Sequence, residues 1–276
     1  MGAEGAGMRP APRGERKRQV RAVRCRYRER IYDQGEYREV KIYPVFSDAP
    51  RGSRRRKFRP TGEAQRRLNE YNSSRRLARL IEANFTARDV WITLTFRPDA
   101  LPGDDRELLR IFRNFARRLK RAYAKRGTEL KYVAAAERSD TGRYHLHLIA
   151  NGLLTPDEIR DLWGLGRVRC EALEFGDAGL QGLAEYMTKY RQITRRYLCS
   201  RNLKQPEATT RETRYSQREI RELREAADDP AAWAALYPGY RLIRGCPFYN
   251  DVTGRWYFTA FLRADKKGPP VRRSCG

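Results

Sequence analysis

The clearest hydrophobic run reads Val90-Trp91-Ile92-Thr93-Leu94-Thr95-Phe96 and stops before Pro98. Its β-branched and aromatic content predicts a strand over 90–96. Leu108, Phe112, Phe115, Leu119 and Tyr123 then recur three and four apart among arginines and lysines. That spacing predicts an amphipathic helix from about 104 to 126, opened by Asp104-Asp105 and followed by Gly127 at its C′ position. Two more apolar runs, 130–137 and 144–149, flank Arg138-Ser139-Asp140-Thr141-Gly142-Arg143. Ser, Asp and Gly are turn residues, so the three segments predict a β-hairpin. Thr155-Pro156-Asp157-Glu158 predicts a helix start with Thr as cap and Pro at N1. A strand over 167–173 and a helix over about 178–197 complete this part.

The flanks are less regular. Residues 1–60 are rich in Gly, Ala, Pro and Arg and close on Arg54-Arg55-Arg56-Lys57. They read equally as a disordered tail or as an extended basic arm with one short hairpin around 31–46. Thr61 in an N-cap placement and Leu68, Leu77, Leu80 and Ile81 predict one or two basic helices ending near Asn84. After the central part, 211–235 reads as a charged helix interrupted by Pro230. Residues 241–264 read as a hairpin with Gly245, Asn250-Asp251 and Gly254 as turn signals, and Trp256, Tyr257 and Phe258 as packing residues in preference to base-stacking ones. Residues 266–276 read as a basic tail. The expected organisation is an N-terminal basic arm (1–60), a central domain (61–206) and a C-terminal helical and hairpin extension (207–276).

Charge narrows the function. Lys and Arg total 59 against 34 Asp and Glu, a formal net charge of +25. An excess of this size, mainly arginine, favours phosphate-bearing partners, above all nucleic acid. No stretch approaches the roughly 20 apolar residues of a membrane span, and no hydrophobic signal segment is visible. Cys25, Cys170, Cys199, Cys246 and Cys275 are scattered without C-x-x-C spacing, which fits a reducing cytoplasm.

The only two histidines are His145 and His147, within Tyr144-His145-Leu146-His147-Leu148-Ile149. Alternate residues of a strand share a face, so both imidazoles project together while Leu146 and Leu148 turn to the other side. If Arg138 lies opposite Tyr144 in the hairpin, Glu137 lies across from His145 on the same face. A slip of one residue would move it to the Leu146 face. His145, His147 and Glu137 are therefore candidate metal ligands, with Asp140 of the turn also within reach. Two histidines and a carboxylate also suit non-haem iron, or a polar sheet face without a metal, so the triad alone does not fix the reaction.

A second group is Glu185-Tyr186-Met187-Thr188-Lys189-Tyr190. On a helix Tyr186, Lys189 and Tyr190 share a face. An amphipathic helix with half-buried tyrosines explains the pattern, but tyrosine is also a competent covalent nucleophile. A nearby ammonium favours its charged form.

The order of these parts resembles the HUH endonuclease superfamily, and within it rolling-circle replication initiators. The strand with Thr93-Leu94-Thr95 resembles their first motif, His145-Leu146-His147 the second, and Tyr186-Met187-Thr188-Lys189-Tyr190 the third. Two tyrosines four apart resemble the two-tyrosine branch. Residues 197–206, with Ser200-Arg201-Asn202-Leu203-Lys204, are similar to replication-associated proteins of filamentous phages and small plasmids. The resemblance covers roughly residues 61–206.

It implies an α+β fold, with a mostly antiparallel sheet of about five strands backed by helices. It also implies magnesium or manganese held by His145, His147 and Glu137, with Tyr186 as nucleophile, Tyr190 as second tyrosine and Lys189 as the family lysine. The tyrosine would attack origin single-stranded DNA, leaving a 5′-phosphotyrosine link and a free 3′-hydroxyl. No P-loop is visible, so a host helicase and polymerase are the expected partners. Two rivals stand beside this reading: a non-catalytic module that stacks single-stranded bases on its sheet, and a transposase or relaxase of the same superfamily. Relaxases usually place the tyrosine before the histidines, and single-tyrosine transposases lack the second tyrosine.

Overall fold

In chain order the strands are β1 (Cys25–Gln34), β2 (Tyr37–Phe46), β3 (Val90–Thr95), β4 (Tyr132–Arg138), β5 (Tyr144–Ala150), β6 (Val168–Ala172), β7 (Leu198–Cys199), β8 (Ala208–Glu212), β9 (Tyr240–Asn250) and β10 (Arg255–Ala264). The helices are α1 (Glu63–Glu82), α2 (Asp105–Ala124), α3 (Pro156–Trp163), α4 (Gln181–Lys189), α5 (Gln217–Glu225) and α6 (Pro230–Leu236). This computed structural model describes residues 25–46, 63–139, 141–177, 179–189, 197–212, 215–250 and 253–265.

The strands form two five-stranded sheets, in the orders β6-β3-β5-β4-β7 and β8-β1-β2-β10-β9. All strand pairs are antiparallel. The expected α+β class, an antiparallel sheet backed by helices, is what the chain adopts.

Helices cover the first sheet on both faces. Leu108, Phe112, Phe115, Leu119 and Tyr123 of α2 are all buried, and they pack with Ile92, Leu94, Leu146 and Leu148 on one side. Each fully buried side chain of this kind contributes roughly 1.5–3 kcal/mol of transfer free energy. On the other side, Leu77, Leu80 and Ile81 of α1 and Ala184 and Met187 of α4 pack on Val133, Ala135 and Ile149. The alternation of β5 thus sends Leu146 and Leu148 to α2, and His145, His147 and Ile149 to the face shared with α1 and α4.

Local signals account for the element ends. The Asp104 carboxylate accepts the Glu107 amide at 2.7 Å, capping α2. Thr155 and Glu158 form a reciprocal capping box at the start of α3, with Pro156 in its first turn. Gly164 closes that helix at φ 63°, a conformation that costs a residue with a Cβ.

The second sheet departs from the sequence reading. The hairpin expected around 31–46 begins at Cys25, and β2 pairs along β10, with Ile42 opposite Phe258. The segment read as an arm and the C-terminal hairpin therefore share one sheet. Tyr27, Ile31, Val40, Ile42 and Phe258 form its core with Ile220 and Leu223 of α5 and Trp233 of α6. Pro230 does not merely interrupt a helix; it stands in the first turn of α6 behind the Asp229 cap. The segment expected as a helix over 178–197 is helical only as Gln181–Lys189 among its described residues, and Tyr197 lies outside it.

A buried ionic cluster joins the second sheet to α1. Arg75 donates to Glu39 Oε2 at 2.6 Å, Arg79 Nε lies 3.3 Å from the same oxygen, and Lys41 Nζ lies 3.4 Å from Oε1. Burial acts to raise the Glu39 pKa, but the Arg75, Arg79 and Lys41 charges together hold it below the usual carboxylate range. Among the described residues, no helix is long and apolar enough to cross a membrane.

Candidate active site

The hairpin register places Glu137 opposite His145 and Arg138 opposite Tyr144, the pairing that the turn chemistry anticipates. On the other edge of β5, β3 places Thr93 opposite His147 and Thr95 opposite His145. Five polar side chains from three adjacent strands thus share one face at the end of the sheet. One ligand atom each from Glu137, His145 and His147 lies within 4.8 Å of the others.

His147 is the most constrained of the three and is buried. Its ring lies against Trp91, with centroids 5.1 Å apart and planes 7° from parallel. Nδ1 is 3.3 Å from the Thr93 hydroxyl, and Nε2 is 2.9 Å from Glu137 Oε2. In the tautomer with hydrogen on Nδ1, Thr93 accepts the ring proton, and Nε2 directs its lone pair to the point the Glu137 carboxylate faces. Such an outer partner on the second nitrogen commonly fixes a metal-binding histidine. Burial lowers the His147 pKa; the Glu137 hydrogen bond and charge oppose the shift without cancelling it. The neutral imidazole, the ligating form, is favoured. Two imidazoles and one carboxylate converging on one point suit a divalent cation.

Tyr186 reaches this cluster from α4. Its hydroxyl donates to Glu137 Oε2 at 2.7 Å and lies 3.1 Å from His147 Nε2. Its ring meets the His147 and Trp91 rings edge-on, at 5.0 and 6.2 Å. Ala184 and Met187 turn into the core and hold α4 on the sheet, while Tyr186 stays 37% exposed. Tyr186 and Lys189 line one cavity of about 420 Å³ with Tyr71 and Ser74 of α1 and Glu185.

The start of α4 is anchored on α1. Glu82 accepts the Leu180 amide at 3.1 Å, and Arg75 donates to the Gln181 side chain. Gly179, at φ 65°, lets the chain pass so close that a Cβ there would meet Glu82 Oε1 at 2.3 Å. Burial raises the Glu82 pKa to about 7, against partial relief from the Leu180 amide and the arginines of α1.

Five of the site residues named from sequence are therefore within the described structure. Glu137, His145, His147 and Tyr186 meet, while Lys189 shares a cavity with Tyr186 that none of the three candidate ligands lines. Tyr190 and Asp140 lie outside the described residues. Trp91 and Thr93 contact His147 but were not named as site residues from sequence. The alternation of the 90–96 strand holds the one available signal, since it puts Trp91, Thr93 and Thr95 on a common face.

The fold and site together define an α+β protein with a candidate metal centre and an adjoining tyrosine on a helix. Residues 89–194 match the family model of Replication-associated protein ORF2/G2P, which supports a role in replication initiation. The match spans β3 through α4 and so contains every residue of the candidate centre. No curated protein and no solved structure matches the chain.

Proposed function

We propose that the protein is a metal-dependent endonuclease that nicks and rejoins single-stranded DNA at a replication origin, as a two-tyrosine HUH initiator of rolling-circle replication. The observation that carries this reading is the Tyr186 hydroxyl, 2.7 Å from Glu137 and 3.1 Å from His147, beside a His-His-Glu set within a replication-family match.

Each residue has a role. Glu137, His145 and His147 hold a divalent ion, magnesium or manganese, which when bound supplies Lewis-acid polarisation of the scissile phosphate. The Tyr186 oxygen attacks phosphorus, and its proton faces the Glu137 carboxylate. The bond from phosphorus to the 3′-oxygen breaks, and that oxygen takes up a proton from solvent. The products are a 5′-phosphotyrosine link on Tyr186 and a free 3′-hydroxyl able to prime synthesis by host enzymes. Lys189 stabilises negative charge on the phosphoryl group. Tyr190, one helical turn on, accepts the strand in a second transfer. Affinity for the strand comes mainly from the arginine excess.

The test is incubation of the protein with labelled origin-derived single-stranded DNA and manganese, followed by a denaturing gel. A protein–DNA adduct that vanishes with chelator and with His147→Ala, while DNA affinity remains, is expected. Binding without an adduct in any divalent metal, on a DNA set covering candidate origins, would overturn the nuclease and leave a binding module.

A further inference from the structure

We propose that the open face of the second sheet is a binding surface for single-stranded DNA that leads into the Tyr186–Lys189 cavity. This surface acts by binding alone, so its test does not depend on cleavage.

The two faces of the sheet differ in kind. One is the apolar core packed under α5 and α6. The ladders place aligned rows of side chains across the other. One row runs Glu212–Arg28–Tyr43, and on the far strands Tyr257–Phe248; the step from Ile42–Phe258 brings Tyr43 beside Tyr257. The next row runs Thr210–Arg30–Lys41–Thr259–Cys246. In a third row Tyr32 and Phe261 flank Glu39, and there α1 covers the sheet: Arg79 sits over the Tyr32 ring at 3.9 Å and Arg75 over the Phe261 ring at 4.3 Å.

The first row carries no such cover among the described residues, and in the second Lys41 leans into the cluster at Glu39 while Arg30 stays exposed. Arg30 and Phe248 are exposed, and Arg28, Tyr43 and Tyr257 are half-exposed. Phe248 is 60% exposed, the most open of the large hydrophobic side chains described. It packs only tilted against Tyr257, at 6.2 Å.

Exposed rings interleaved with arginines on a flat sheet fit one ligand chemistry. Bases stack on the rings and backbone phosphates meet the guanidinium groups. Arg28 is partly engaged by Glu212 at 2.5 Å and Lys41 is drawn to Glu39, but the exposed Arg30 keeps the rows net positive. A duplex offers no unstacked bases to the rings, which selects a single strand.

The direction follows from α1. Tyr71 lines the cavity of Tyr186 and Lys189 and stands one helical turn before Arg75, whose guanidinium lies over the Phe261 ring of β10 at 4.3 Å. The open rows therefore lie next to the row that α1 covers, on the way to the cavity that holds the proposed nucleophile.

The experiment uses the full chain and fluorescence anisotropy with a labelled oligo(dT) longer than the roughly 4–16 nucleotides that one such surface occupies. Phe248→Ala/Tyr257→Ala should weaken binding by roughly fivefold to a hundredfold. Its salt slope should stay unchanged, because no phosphate contact is removed. Duplex affinity should also stay unchanged. Arg30→Ala, which removes an exposed guanidinium of the second row, should instead lower the salt slope and spare the stacking contribution. Wild-type affinity in the aromatic variant, an equal loss on duplex, or tighter binding of oligo(rU) than oligo(dT) would each overturn the proposal. Should the aromatic variant fail to fold, photocross-linking of the wild-type chain to iododeoxyuridine DNA decides. Labelling within residues 244–259 supports the surface, and labelling confined elsewhere overturns it.

Discussion

The Trp91 indole lies flat on the His147 imidazole, with planes 7° from parallel and centroids 5.1 Å apart. With the Thr93 hydroxyl on Nδ1, this contact leaves His147 one orientation, Nε2 toward Glu137. The tyrosine chemistry proposed for α4 thus depends on β3, which contributes no candidate ligand.

Removing that support should weaken the metal site without unfolding the sheet. Thr93→Val keeps the shape and deletes the hydroxyl; manganese affinity should fall by about 10–100-fold. Calorimetric titration measures it, and unchanged affinity would remove Thr93 from the site.

Tyr186→Phe deletes only the hydroxyl that donates to Glu137. The variant should fold, bind manganese and DNA, and form no covalent adduct. Tyr190→Phe should cut normally but fail in a second strand transfer. Peptide mapping of the adduct checks both. Partial adduct in each single variant, lost only in the double, would make the tyrosines interchangeable; full adduct in the double variant would exclude both.

Glu82 makes stability depend on pH. Its folded pKa of about 7 lies above the ordinary value of 4.5. The folded state therefore holds the proton more tightly than the unfolded chain. The favourable contribution is complete below about 4.5 and is lost as pH rises through 7, so stability falls across that window. Glu82→Gln keeps an acceptor for the Leu180 amide without a charge. It should flatten this slope and stabilise the protein at pH 8 by about 1–2 kcal/mol, discounting for the partial exposure of the group. Urea unfolding at pH 5 and pH 8 measures both effects.

Glu39 neutralises Arg75 and Arg79 where the second sheet meets α1. Glu39→Leu leaves two buried guanidinium groups facing an apolar side chain. A destabilisation of about 3–5 kcal/mol is expected. Denaturant titration reads it, and a loss under about 1 kcal/mol would show that solvent reaches the cluster.

The convergence of Glu137, His145 and His147 was legible because its information is local. The spacing of His145 and His147, with the Ser139-to-Gly142 turn, fixes the parity that brings Glu137 across from His145. Trp91 and Thr93 reach His147 through a pairing between distant segments, and strand order is not written in the periodicity of either one. The second sheet was hidden for a related reason. Tyr27, Ile31, Val40 and Ile42 alternate inward, but Arg26, Arg28 and Arg30 flank and interleave the first of them and made the segment read as a basic arm. The alternation was there to be read; the partner strand β10 was not. The helix expected over 178–197 was overextended at its described ends, since Gly179, Leu180 and Tyr197 are not helical.

Because β2 lies between β1 and β10, its second edge can be satisfied only by a strand at the far end of the chain. During synthesis the β1–β2 hairpin and the whole of the first sheet emerge before Arg255. The first sheet is assembled from nearer neighbours and can close early. The β1–β2 hairpin must wait with an open hydrogen-bonding edge and an uncovered apolar face, the condition in which strands aggregate. Loop closure across so much chain is slow. The arginines at positions 26, 28 and 30 thus acquire a second use in a newborn protein: they keep a waiting hairpin in solution while the first sheet folds on the ribosome-bound chain, well before this sheet is finished.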